Sequence, residues 1–176
     1  MKVLNVGGGS RVLPPQFEGW EQVLLDINPD VKPDICLDAK EMSTLPPDEY
    51  DAVYCSHTLE HFYKFEVPIV LSGFLHVLKP KGFAEIHVPN MRNVINELIA
   101  RNHDIDDVFY RTEENLAITF HDVIYGWGTP LTNGNPFYVH KCGFTVLSLG
   151  SALRAAGFEP VYLMSRDANI TAQSHK

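Results

Sequence analysis

One short segment of the chain carries residues that could move protons or bind a metal. His57-Thr58-Leu59-Glu60-His61 matches H-x-x-E-H, a pattern in which two histidines bind zinc and the glutamate serves as a general base. That arrangement needs a helix of its own and a third ligand on another helix, whereas this segment directly follows a strand-like run that ends at Cys55. The sequence therefore predicts no metal. Two interpretations stay open: Glu60 and His61 cap the next helix, or a histidine takes a proton from a bound substrate.

A glycine-rich turn near the start of the chain could hold a nucleotide-like ligand. Gly7-Gly8-Gly9 follow the apolar run 2–6, and Asp26 ends the next apolar run. Glycines at such a turn let a ligand approach the backbone, and the acid can accept hydrogen bonds from both hydroxyls of a ribose. A dinucleotide-binding turn would have a third glycine where Val12 stands, so an NAD-dependent oxidoreductase is disfavoured. A glycine turn without any ligand remains the alternative.

These residues need a scaffold of alternating strands and helices. Strand-like runs occupy 2–6, 22–25, 34–37, 51–55, 83–88, 158–164 and 169–172, and helix-like spacing of apolar residues covers 67–78, 91–101 and 145–156. Such alternation is typical of a parallel sheet. We predict one α/β domain over residues 1–176: a Rossmann-like, mostly parallel, seven-stranded sheet with helices on both faces and a C-terminal antiparallel hairpin.

The segment 102–143 follows neither period and is rich in aromatic residues. A long irregular segment inside a compact domain is usually functional or disordered, and this one is too aromatic to be disordered. We expect it to form an acceptor-side insertion or lid whose substrate contacts come from His121, Tyr125, Trp127 and Tyr138. The alternative is that these aromatic side chains belong to an ordinary core.

Taken together, the motifs resemble those of the class I S-adenosylmethionine-dependent methyltransferases. LNVGGGS (4–10) resembles the family's first motif, LDIN (25–28) the acidic ribose motif, LDA (37–39) the adenine motif, YDAVYCSHTLEH (50–61) the fourth-strand motif, VLKPKG (77–82) the turn before the fifth strand and AAGF (155–158) the late motif. The order and spacing agree over most of the chain. The likeness is closest to small methyltransferases whose relatives often act in sugar and surface-polysaccharide metabolism.

The resemblance implies S-adenosyl-L-methionine as cofactor and assigns roles to individual residues. The cofactor contacts would be Asn5, Gly7, Gly8, Gly9, Asp26, Ile27, Asp38, Ala39, Ser56 and His57, and the catalytic candidates are His57, His61 and His140. Asp26 would bind the ribose, and Asp38 with the backbone of Ala39 would mark the adenine. A helix N-cap is the alternative role for Asp38. Because Asn5 stands where the family has an acid, a non-catalytic S-adenosylmethionine-binding protein remains the alternative to an enzyme.

The composition of the chain indicates which methyl acceptors and which cellular compartment to expect. The net charge is −8, from 14 Lys+Arg against 22 Asp+Glu, so we expect no nucleic acid as partner. Three cysteines without a C-x-x-C pair predict reduced thiols and a cytoplasmic protein, and no signal peptide or membrane-spanning run is expected. We therefore expect methyl transfer to an oxygen or nitrogen of a small molecule or sugar. The sequence leaves the oligomeric state open.

Overall fold

The computed structural model describes residues 1–9, 12–112 and 114–176, so Ser10 of the glycine motif and Arg11 lie outside the described residues. Its strands are β1 (Lys2–Val6), β2 (Glu21–Asp26), β3 (Ile35–Cys36), β4 (Tyr50–Ser56), β5 (Leu78–Pro89), β6 (Val108–Arg111), β7 (Ala117–Thr119), β8 (Val161–Arg166) and β9 (Asn169–His175). Its α-helices are α1 (Val67–Val77), α2 (Met91–Ala100), α3 (Phe120–Tyr125), α4 (Gly128–Thr132) and α5 (Val146–Ala156).

Seven of these strands form one sheet in the order β3-β2-β1-β4-β5-β9-β8. The first five pair in parallel, while β9 runs antiparallel to both β5 and β8. The predicted fold class, including the C-terminal hairpin, is confirmed. The fifth strand begins at Leu78 rather than at residue 83, because pairing with β4 continues back to Tyr50 through an irregularity in register.

One face of the sheet carries the main core. Helices α1 and α5 and a 3₁₀ helix (Ala39–Thr44) cover the side chains of alternate strand residues such as Leu4 and Val53, which are fully buried. Helix α1 turns Val70 and Phe74 inward at helical spacing, and both are 0% exposed. Helix α5 begins with a capping box at Thr145.

The other face has a lighter cover. A 3₁₀ helix (Pro15–Phe17) is the helical element described between β1 and β2, and its Phe17 packs on Val3 and Ala52. Two consecutive prolines precede its middle residue, and proline lacks the N–H that a longer helix would need there. The sheet edge beside the glycine turn therefore has no long helix among the described residues.

The segment 102–143, which follows neither sequence period, nevertheless contains regular elements. Strands β6 and β7 form a separate two-stranded sheet, and α3, α4 and a 3₁₀ helix (Pro136–Tyr138) follow. Together with α2 they enclose a second small core around Val94, Phe109 and Phe120. The expectation of an irregular segment is wrong, because elements of three to six residues are too short for a period to be recognised. Phe109 and Phe120 are core residues, as the alternative held.

No helix within the described residues has the length and apolar character needed to cross a membrane.

Candidate functional site

A cavity of about 670 Å³ opens at the carboxyl ends of the central strands. In open α/β sheets this edge is where ligands bind. Most of the residues chosen from the sequence line it, namely Gly7, Gly8, Gly9, Asp26, Ile27, Asp38, Ala39, Ser56, His57, His61, Trp127, Tyr138 and His140. Asn5, His121 and Tyr125 do not line it. The cavity thus joins the glycine turn at one end to segment 102–143 at the other.

The glycine turn is shaped by its neighbours as well as by its backbone. A Cβ atom on Gly8 would collide with the Asn5 amide, which lies buried beneath the turn. Asn5 therefore supports the turn from below, and its Oδ1 has no hydrogen-bond partner among the described residues. Gly9 has a φ of +55°, and a Cβ there would meet no atom of the described residues within 4 Å. The backbone at Gly9 is thus open to a ligand in the cavity.

Asp26 connects the turns that follow β1 and β2. Its Oδ2 accepts a hydrogen bond from the Gly9 N–H at 3.2 Å, and its Oδ1 accepts one from the Asn28 N–H at 2.9 Å. The residue is only 9% exposed. Because an ionised carboxylate can accept about four hydrogen bonds, two backbone donors leave capacity for two ligand hydroxyls.

Asp38 acts as a helix cap in this structure. Its Oδ1 accepts a hydrogen bond from the Lys40 N–H at 3.0 Å at the start of the 3₁₀ helix Ala39–Thr44, which confirms the N-cap alternative. The same side chain still lies in the cavity wall beside Ala39. Capping and a ligand contact are compatible, since each oxygen of a carboxylate can accept more than one hydrogen bond.

Glu60 is a buried acid among histidines. A 3₁₀ helix (Leu59–His61) follows β4 and turns the Glu60 side chain inward, where it is 1% exposed. Neither carboxylate oxygen has a hydrogen-bond partner among the described residues, and Nδ1 of His57 lies 3.3 Å from Oε1. Burial raises the pKa of Glu60, but the contact with His57 and the nearby His61 and His140 outweigh it, so the pKa is lowered overall. The capping interpretation is wrong, because α1 begins at Val67 after the N-cap residue Glu66 and has no side-chain cap.

His61 and His140 are oriented by backbone carbonyls. Nδ1 of His61 lies 2.9 Å from the carbonyl oxygen of Val139, and Nδ1 of His140 lies 3.0 Å from that of Val123. Since a carbonyl oxygen only accepts, both Nδ1 atoms donate, and a neutral ring then keeps its lone pair on Nε2. Burial lowers the pKa of His140 against the opposing charge of Glu60, which favours the neutral ring.

Sequence reasoning missed the position of Glu60 at the centre of this cluster. The H-x-x-E-H match was the available signal, but it pairs His57 with His61 on one helical face. The structure instead has a three-residue 3₁₀ helix there and brings His140 from the far end of segment 102–143. A partner so distant in the chain is not visible in a local pattern.

The aromatic wall of the cavity comes from segment 102–143. Trp127 and Tyr138 contact each other edge to face, with ring centroids 6.0 Å apart, and both line the cavity. The rings of His121 and Tyr125 contact each other at a tilt, with centroids 5.0 Å apart, on the outer side of α3, and both are exposed. Helix α3 buries Phe120 and Val123 in the second core, and its Asp122 and Val123 line the cavity, whereas His121 and Tyr125 do not.

The comparison with protein families gives one assignment. A family model described as "Methyltransferase domain" matches residues 1–163. No protein of curated function matches the sequence.

Solved structures share the fold at low sequence identity. A SAM dependent methyltransferase from Archaeoglobus fulgidus is 19% identical with a TM-score of 0.63, and the match covers 99% of this chain and 86% of that one. A SAM dependent methyltransferase from Aquifex aeolicus is 13% identical with a TM-score of 0.60, covering 99% and 81%. The 1,6-didemethyltoxoflavin-N1-methyltransferase of Burkholderia thailandensis, with bound 1,6-didemethyltoxoflavin and S-adenosylhomocysteine, is 15% identical with a TM-score of 0.57, covering 99% and 70%. The chain belongs to the methyltransferase domain family and is an S-adenosylmethionine-dependent methyltransferase.

Proposed function

We propose that this methyltransferase transfers a methyl group to an oxygen or nitrogen atom of a small polar molecule or sugar. One continuous cavity carries the proposal: the glycine turn and Asp26 line one end, and the aromatic and histidine side chains line the other. Its volume of about 670 Å³ lies within the range of small-molecule sites. The net charge of −8 is unfavourable for a polyanionic acceptor.

The residues at the first end fit S-adenosylmethionine. The open backbone at Gly9 accommodates the methionine part, and the spare acceptor capacity of Asp26 suits the two ribose hydroxyls. Ile27, Asp38 and Ala39 lie farther along the same wall, where the adenine would be held. The cofactor supplies a methyl group that is already activated by a positively charged sulfur.

The chain's own contribution is to position the acceptor, exclude water and accept a proton. The acceptor's lone pair forms the bond to the methyl group as the sulfur–methyl bond breaks, with that bonding pair staying on sulfur. A hydroxyl or amine acceptor must also lose a proton. We assign this proton to His57, which follows Ser56 at the end of β4 and whose Nδ1 faces the Glu60 carboxylate at 3.3 Å. A carboxylate in that position orients the imidazole.

Segment 102–143 forms the acceptor side of a single domain in this proposal. Trp127 and Tyr138 present aromatic faces to the cavity, a lining that suits a ring or a carbon skeleton with polar substituents. Cys36, Cys55 and Cys142 are all free, which supports a reducing, cytoplasmic environment.

Two measurements test the function. Calorimetric titration with S-adenosylhomocysteine should give one site per chain, and a panel of hydroxyl and amine acceptors of small size should yield S-adenosylhomocysteine and a methylated product with at least one member. Binding without any product from a broad panel would favour the non-catalytic alternative. Absence of binding would contradict the assignment of the cavity.

A further inference from the structure

Glu60 has an unusual environment for an acid. The side chain is 1% exposed and neither oxygen has a hydrogen-bond partner among the described residues. A buried carboxylate costs several kcal/mol of free energy unless a cation compensates it. No lysine or arginine of the described chain forms an ion pair with Glu60; the neighbouring groups are imidazoles. Glu60 therefore has no lysine or arginine beside it among the described residues, and Nδ1 of His57 lies 3.3 Å from its Oε1.

Two of those imidazoles are held as metal ligands usually are. His61 and His140 each donate Nδ1–H to a backbone carbonyl, at 2.9 Å and 3.0 Å. This second hydrogen bond fixes the tautomer and leaves Nε2 as the free donor atom, which is the usual arrangement around zinc-binding histidines. The main chain also fastens the cluster, because the Glu60 carbonyl accepts hydrogen bonds from the N–H groups of Lys141 and Cys142.

One potential ligand atom from each of Glu60, His61 and His140 lies within 4.8 Å of the others. Zinc bound at 2.0–2.2 Å would hold tetrahedral ligands roughly 3.4 Å apart. The ligand atoms thus need to approach one another by at most about 1.4 Å around an ion, a movement within reach of small χ rotations.

We propose that Glu60, His61 and His140 bind a divalent transition-metal ion, best represented by Zn²⁺, at the acceptor end of the cavity. Two imidazoles and one carboxylate form the donor set of catalytic zinc sites that keep an open position, whereas Mg²⁺ prefers oxygen ligands alone. The sequence predicts no metal because H-x-x-E-H needs a helix of its own and here follows a strand; His140 lies far along the chain from that motif.

The location indicates a use for the ion. His61 and His140 line the cavity, so the remaining coordination position faces the space where the acceptor binds. An acceptor oxygen that coordinates there would be polarised, so its proton would be more acidic and the oxygen a better nucleophile. This use, which points to an oxygen acceptor, rests on the proposed function; binding of the metal does not.

Metal binding can be measured directly. Protein stripped with a chelator is titrated with Zn²⁺ against a chromophoric competitor, and Mg²⁺ is titrated separately. We expect one Zn²⁺ per chain and no comparable Mg²⁺ binding. His61→Asn, His140→Asn and Glu60→Gln should each weaken Zn²⁺ binding by more than about 100-fold, since even changes to groups that only orient a ligand cost about 10–100-fold.

His121→Asn is the matched control, because this exposed histidine lies on the outer side of α3. It should leave Zn²⁺ affinity unchanged, and S-adenosylhomocysteine binding by every variant verifies the fold. If Glu60→Gln does not fold, the two histidine variants still test the metal site. The metal site is overturned if the wild type does not bind Zn²⁺, or if folded His61→Asn and His140→Asn bind it as tightly as the wild type does. Either result leaves the proposed methyl transfer untouched. Zn²⁺ binding without methylation of any acceptor would instead count against the proposed function.

Discussion

The rings of His61 and His140 lie with their centroids 4.9 Å apart, one from the turn after β4 and the other from the end of segment 102–143. The contact is fixed from both sides, because Nδ1 of His61 is bonded to the carbonyl of Val139 and the Lys141 N–H donates to that of Glu60. The acceptor side of the cavity is therefore joined to the strand end that carries the cofactor side. A substitution at either end of the cavity can be assigned to the cofactor or to the acceptor by measuring how it changes the binding of each.

Replacing Gly9 by alanine should weaken cofactor binding. Gly9 and Gly19 both have positive φ, +55° and +79°, and a Cβ at either would meet no atom within 4 Å in the described part of the chain. Each substitution thus carries a similar backbone cost of about 1 kcal/mol in the free energy of unfolding. Only Gly9 lines the cavity, so its added methyl group takes space from the ligand.

Gly19→Ala is the control for that strain. Urea unfolding should show similar losses of stability in both variants, while calorimetry should show weaker S-adenosylhomocysteine binding for Gly9→Ala alone. Equal affinities in the two variants would place the methionine part of the cofactor elsewhere.

Asp26→Asn should lower affinity for S-adenosylhomocysteine by about 10- to 100-fold, the cost of losing hydrogen bonds to a charged acceptor. Asp34→Asn is its counterpart, since Asp34 also accepts a backbone hydrogen bond, from Leu24 at 2.8 Å, but is exposed and outside the cavity. Asp34→Asn should bind like wild type. If both variants bind S-adenosylhomocysteine as tightly as the wild type, Asp26 does not bind the ribose.

The sequence was sufficient for the parts of the site that depend on local pattern. The strand ends that bear Asp26 and the glycine turn can be predicted because short apolar runs stop at these residues. The sequence predicts substrate contacts from both Tyr125 and Trp127. The end of α3 at Gly126 lies between them, and of the two residues Trp127 lines the cavity. The burial of Glu60 depends on contacts between distant segments, and no spacing in the chain encodes it.

His57→Asn should reduce turnover at saturating cofactor by about 10²–10⁴-fold, as expected for loss of a general base. Asparagine is the suitable replacement because His57 has a φ of +52°, a conformation that asparagine tolerates better than alanine does. His76→Asn, at a histidine that contacts the Leu45 carbonyl far from the cavity lining, is the control. Full turnover by His57→Asn would show that the acceptor loses its proton by another route.

Tyr138→Ala should raise KM for the acceptor by roughly 2- to 10-fold, the range expected from loss of an aromatic contact. Tyr125→Ala is the control, because Tyr125 lies in the same segment but is exposed and does not line the cavity. It should leave KM unchanged. Steady-state kinetics with saturating cofactor measures KM for both variants. If the two substitutions change KM equally, Tyr138 does not contact the acceptor.

Asp122 should stabilise the acceptor segment in a pH-dependent way. Its carboxylate accepts hydrogen bonds from the Thr119 N–H and hydroxyl at 2.9 and 2.8 Å and from the Gly128 N–H at 2.8 Å. Burial raises the pKa of Asp122, but these bonds outweigh it and lower the pKa overall. The ionised form thus stabilises the fold above the ordinary pKa of 3.8, and this contribution is lost as pH falls through the lower folded-state value.

Asp122→Ala should therefore lose about 1–2 kcal/mol of unfolding free energy at neutral pH, comparable to the loss of a helix cap. The difference from wild type should shrink once the pH falls below 3.8, because protonation removes the same charge-assisted bonds from the wild type. Urea unfolding across this range measures it, with the exposed Asp106→Ala as control. A difference that is constant with pH would mean that the side chain acts by packing alone, since only the ionised carboxylate makes these bonds at full strength.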